Sequence, residues 1–143
     1  MSHSTSDSDA VKQLNSFRPE FIELLGGRVI AADIEARSCT FAFCVPLKFC
    51  HSGNIVQGGF VTAMLDAAMS HAVFGCAPDV ERLSSLEITT RYESVTRGET
   101  SLTVTGLVRR MTRTIAFLEA DIKSDSGEVL AVAQSVAKIG RKA

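Results

Sequence analysis

One stretch dominates what this chain can become. From Gly58 to Phe74 it reads GGFVTAMLDAAMSHAVF, the one long apolar segment in 143 residues. Its length excludes a single strand, and its Ala, Met and Leu content favours helix. The run is apolar nearly all round, so the helix must be covered on several sides. It falls short of the about 18 uninterrupted apolar residues of a membrane span, so no transmembrane helix is expected.

The rest of the chain supplies the cover. Residues 1–8 read as a flexible polar tail, and residues 9–143 as one domain. Asp9 is a candidate cap for a first helical stretch carrying Val11, Leu14 and Phe17. Pro19 suits a second helical start, and Gly26-Gly27 stops it. Arg28–Ile34 and Ser38–Val45 are β-rich and close enough to form a hairpin. Pro46 to Val56 is a loop by composition. After Gly75–Pro78 the period becomes two, over Arg82–Glu93, Thr100–Arg110, Arg113–Lys123 and Val129–Lys138. Short turns between these stretches predict a four-stranded antiparallel meander with one face toward the core. The expectation is α+β: one long helix across one curved antiparallel sheet.

Composition removes several classes of function. Fifteen Lys and Arg against sixteen Asp and Glu leave a net charge of −1. No electrostatic footprint for nucleic acid or an anionic membrane surface follows from that balance. The opening MSHSTSDSD is polar and acidic, unlike a signal or transit peptide, so a cytoplasmic protein is expected. The four cysteines form no CxxC pair and read as reduced thiols. Cys50 and His51 are adjacent, point opposite ways in extended chain, and have no second pair, so no metal is expected.

Asp66 is the residue that does not belong. It lies in the middle of the apolar helix, about eight residues and roughly 12 Å past Gly58, too far in to cap it. Its neighbours at three and four positions are Thr62, Ala63, Met69 and Ser70, none of them cationic. Gly59, Thr62, Asp66 and Ser70 form a narrow small-and-polar stripe at the helical step of about 100°. Either Asp66 is structural, held by distant backbone donors or carried on a stripe at a solvated edge, or it is a catalytic carboxylate. Gly58-Gly59 opens the same helix. Glycines there leave N–H groups approachable, and the helix dipole favours negative charge, including a developing oxyanion.

Together these residues resemble a known family. The run HSGNIVQGGFVTAMLDAAMSHAVFG is similar to the central motif of acyl-CoA thioesterases of the hotdog fold, of the phenylacetate-pathway type. That family reads Asn-x-x-Gly-x-Val-His-Gly-Gly, then Asp eight residues after the first glycine of the pair. Val56, Gly58, Gly59 and Asp66 match in identity and spacing. Gln57 stands where the family often has His, His51 where it has Asn, and Asn54 where it has Gly. Asn tolerates left-handed backbone, which makes the last exchange conformationally sound.

The resemblance implies a curved antiparallel sheet wrapped round one helix, and dimers or dimers of dimers with sites built across the dimer interface. It implies an acyl-CoA substrate and no bound cofactor. Asp66 would be general base or nucleophile, and the Gly58 N–H the oxyanion donor, facing the neighbouring subunit's Asp66. Gln57 and His51 would position the thioester. Ser85, or its neighbour Ser84, would hold Asp66 or the water. Asn54, Gly59 and Thr62 fall on the substrate side. Arg109, Arg110 and Arg113 are candidates for CoA phosphates, or keep a strand edge soluble. The rival readings are a non-catalytic acyl-CoA or lipid-binding protein on this fold and, third, a hydratase or dehydratase using His71. The pattern His-x-x-x-Gly-x-Pro that would accompany the third is absent.

Overall fold

The computed structural model describes residues 6–143. In chain order the elements are α1 (Asp7–Ser16), α2 (Glu20–Leu24), β1 (Gly27–Asp33), β2 (Ser38–Phe43), β3 (Cys50–His51), β4 (Ile55–Val56), α3 (Gly58–Cys76), β5 (Val80–Tyr92), β6 (Leu102–Met111), β7 (Ile115–Ser124) and β8 (Val129–Arg141). A 3₁₀ turn at Leu47–Phe49 precedes β3.

α3 is the predicted helix, and the sheet wraps it. By length and mean hydropathy, 1.2 over its most apolar window, it is a candidate to cross a membrane. Its packing gives the apolar surface another use. Met64, Leu65, Ala68, Met69 and Val73 are fully buried against the sheet. Leu102, Val104 and Val108 of β6 and Ala116, Leu118, Ala120 and Ile122 of β7 point inward, as period two requires. Gly106 marks the closest approach, since a side chain there would collide with the Ala68 carbonyl of α3. Ala131, Ala133 and Ala137 of β8 are also buried, and their small side chains leave room for the helix.

The sheet has six strands in the order β1-β2-β6-β7-β8-β5, every neighbour antiparallel. The expected meander is therefore corrected in one respect. β6, β7 and β8 are consecutive hairpins, but β5 lies on the far edge beside β8, not next to β6. The reason lies in residues 93–101, within which Thr96-Arg97-Gly98 reads as a short turn. That segment is a crossover, held to the loop before α3 by Val56 N–H to Thr96 O (2.8 Å) and Gly98 N–H to Asn54 O (2.8 Å). Glu99 N–H to Val45 O (2.8 Å) extends the tie. Those bonds satisfy the crossover's backbone away from β5 and leave β2 to flank β6.

The N-terminus differs in detail. α1 begins at Asp7, inside the stretch read as tail, and residues 1–5 of that tail lie outside the described residues. Its cap is Ser6, whose hydroxyl accepts from Asp9 N–H, so Asp9 is first-turn and not the cap. Asn15 then ties α1 to β1, donating to Val29 O and accepting from Val29 N–H, both at 2.9 Å.

Candidate active site

Asp66 projects from α3 toward β5, half-buried. Among the described residues no cation pairs with it. Ser85 Oγ donates to Asp66 Oδ1 at 3.5 Å, the long limit of a hydrogen bond. Burial holds the Asp66 carboxyl above its ordinary range, and the Ser85 bond pulls the other way. Of the two serines, Ser85 is the one that reaches Asp66, because it faces α3 from β5 beside inward-facing Ala137.

Two turns toward the start of α3, the helix opens at Gln57 without a side-chain cap. The Gln57 carbonyl accepts from Phe60 and Val61 N–H. Gly58 and Gly59 N–H have no partner among the described residues. Space beside Gly59 is empty. The helix thus presents two bare donors at its positive end.

Residues that the motif did not point to complete this end. Tyr92 Oη donates to Gly58 O at 2.8 Å. Thr62 Oγ1 lies 3.0 Å from Tyr92 Oη and 2.9 Å from Thr90 Oγ1. Period-two counting from Ser85 puts residues 87, 89 and 91 on its face. A bulge between Ser85 and Glu87 shifts the register, so Ile88, Thr90 and Tyr92 turn inward instead. No residue type in the sequence announces that bulge.

The other candidates lie apart. Asn54 accepts at Oδ1 from Arg97 Nη1 (2.8 Å) and pins the loop to the crossover. It is not left-handed, contrary to expectation; Ser52 (φ 49°) and Gly53 (φ 91°) make that turn. His51 is exposed on β3, its Nδ1 3.0 Å from Ser52 Oγ. Gln57 is exposed and its side chain unengaged. Arg109 pairs with Glu119 at 3.6 Å, and with Arg110 it lines a groove of 350 Å³ on the sheet face away from α3. Arg113 sits in the β6–β7 turn, where its carbonyl accepts from Arg141. The structure does not bring these arginines to Gly58. The two larger grooves, of 530 and 660 Å³, are lined by neither Asp66 nor Gly58. Among the described residues no three His, Cys, Asp or Glu side chains cluster as metal ligands would.

Known proteins share this fold. A protein described as phenylacetic acid degradation-related, from Ralstonia eutropha JMP134, superposes with a TM-score of 0.81 at 22% identity, covering 90% of this chain and 98% of that one. The Escherichia coli PaaI protein of the phenylacetic acid degradation operon gives 0.81 at 17% identity, over 96% and 99%. A protein described as a hypothetical thioesterase, from Streptococcus pneumoniae TIGR4 and solved with coenzyme A, gives 0.75 at 14% identity, over 85% and 91%. Identities this low show a shared hotdog fold. No curated protein sequence matches the chain. The thioesterase superfamily profile matches residues 53–131, more than half of the chain, across the bare glycines, Asp66 and three of the strands that wrap them. By that match this chain belongs to the thioesterase superfamily.

Proposed function

We propose that this protein hydrolyses acyl-CoA thioesters at a site shared between two copies of the chain. One observation carries the reading: a carboxylate without a cationic partner and two bare N–H donors share one helix, but about 12 Å apart by its rise. A base, a water and a carbonyl in line span far less than that. Neither half serves the other within one chain. Each can serve a neighbour. β5 supports the pairing: it is a 13-residue edge strand, exposed along most of its length and carrying Ser85 and Tyr92. An open edge of that length is a ready surface for a second strand.

In the proposed step Asp66 of one copy takes a proton from water, and the water oxygen attacks the thioester carbonyl carbon. The Gly58 N–H of the other copy receives the developing oxyanion. Collapse breaks the carbon–sulfur bond, and the departing CoA thiolate takes the proton from Asp66. Ser85 orients the carboxylate, while Gln57 and His51 flank the thioester. No cofactor is called for. Direct attack by Asp66 through an anhydride is the alternative route, and single turnover in ¹⁸O-water separates the two by whether label enters the carboxylate.

The test is CoA release across an acyl-CoA panel, with equilibrium binding measured beside it and Asp66→Ala as control. Release that vanishes in the variant supports the proposal. Near-wild-type release in the variant overturns it. Binding without release in the wild-type protein favours the non-catalytic reading. Sharing of the site is tested by mixing. Gly58→Pro removes one donor at the first helical position, where proline is tolerated, although Tyr92 must yield slightly. Co-expressed Asp66→Ala and Gly58→Pro chains, each inactive alone, should regain activity because one site of the mixed dimer is intact. No recovery in a verified mixed dimer would refute a shared site.

A further inference from the structure

We infer that Tyr92 is a positioning residue, whose hydroxyl holds the Gly58–Gly59 peptide in place as part of the anion-binding helix start. The inference rests on the thioesterase reading and deepens it.

The argument begins with proton counting. The Gly58 carbonyl can only accept, so Tyr92 spends its one O–H proton there. The Tyr92 oxygen is then free only to accept, so Thr62 donates to it. Thr62 has used its proton and must accept from Thr90. One proton order satisfies all three contacts: Thr90 to Thr62, Thr62 to Tyr92, Tyr92 to Gly58 O. The chain is directed and ends on the helix start.

That end needs holding. Two successive glycines leave the N–H groups open to a ligand, but they are also the softest backbone on which to begin a helix. Gln57 offers no side-chain cap, and the loop ties down only the residue before the glycines, through Gln57 N–H to Phe49 O at 3.1 Å. Tyr92 compensates from β5. The Gly58 carbonyl belongs to the same peptide unit as the Gly59 N–H. A bond to that oxygen fixes the plane of the unit and polarises its N–H, making it a stronger donor to negative charge. Tyr92 itself stays half-exposed, with its ring beside Gly58.

The experiment compares Tyr92→Phe, Thr62→Val, Thr62→Ser and Thr90→Val in the full chain. Tyr92→Phe keeps the ring and removes the hydroxyl. It should lower kcat about 5- to 10-fold with KM nearly unchanged, the size of one lost hydrogen bond felt in the transition state. Thr62→Val should fall similarly, Thr62→Ser should restore activity, and Thr90→Val should show the smallest loss. The Gly59 amide ¹⁵N resonance should move in Tyr92→Phe and stay near its wild-type position in Thr62→Ser. Unchanged kcat and an unmoved Gly59 resonance in Tyr92→Phe would overturn the inference, as would a lowered melting temperature with kcat per folded molecule unchanged. If Asp66→Ala abolishes release while Tyr92→Phe does nothing, only this inference falls. If the wild-type protein releases no CoA from any ester, the thioesterase reading falls, and the Gly59 resonance alone then decides whether Tyr92 holds the peptide.

Discussion

Asp66 and His71 stand five residues apart on the same apolar helix, and the structure treats them oppositely. His71 is 6% exposed, donates from Nδ1 to Ala67 O one turn back at 2.8 Å, and packs edge-on against Phe41. Burial pushes its pKa down, against the bond to Ala67 O, and so favours the neutral ring. Asp66 is half-buried, and among the described residues its one side-chain partner is the Ser85 hydroxyl at 3.5 Å. The difference lies in what a helix can offer. A donor side chain finds a carbonyl oxygen with a spare lone pair one turn back, whereas a carboxylate only accepts, and mid-helix N–H groups are all taken. A buried donor can be settled locally, and a buried acceptor must look to another element or another molecule. His71 therefore belongs to the core.

Four measurements test that contrast. Asp66→Asn preserves shape and removes the base, so CoA release should drop about 10²–10⁴-fold, the usual reach of a general base. His71→Ala should instead cost about 2–4 kcal/mol in urea unfolding, as other large-to-small core changes do, with turnover per folded molecule nearly unchanged. A large turnover loss there would put His71 in the chemistry and revive the hydratase reading. Ser85→Ala should lower kcat about 5- to 10-fold. It should also move the acid limb of the rate profile to higher pH, since the lost bond was lowering the Asp66 pKa. An acid limb moving down would contradict the role given to Ser85.

The smallest effect is on stability. The Asp66 carboxyl lies above its ordinary value of 3.8 in the fold, chiefly through burial. Its preference for the proton stabilises the fold below that value and is lost as pH rises through the folded one. Asp66→Asn does not titrate. Its melting temperature should therefore gain slightly on wild type as pH is raised from about 4 to about 7. A widening deficit instead would show that the carboxylate is held by a favourable partner.

Much of this was legible in residues. The length and apolarity of Gly58–Phe74 dictated a covered helix, and alternation in β6 and β7 dictated which faces cover it. Asp66 stood out because neighbours at helical spacing are readable without coordinates. Thr90 and Tyr92 were not legible, because a one-residue bulge reverses the face of every later side chain in β5 and leaves no mark in composition. The place of β5 was hidden for a related reason. A segment that looks like a turn becomes a crossover only when the loop before α3 supplies its hydrogen bonds.

The division follows from the range of the forces involved. Periodicity, helix length and the lack of a cation at helical spacing from Asp66 are local, and the order of residues alone sets them. Strand order, the bulge that aims Tyr92 at Gly58, and the open edge of β5 depend on bonds between segments far apart in the chain. Those arise where distant segments meet, since backbone hydrogen bonding is indifferent to residue type.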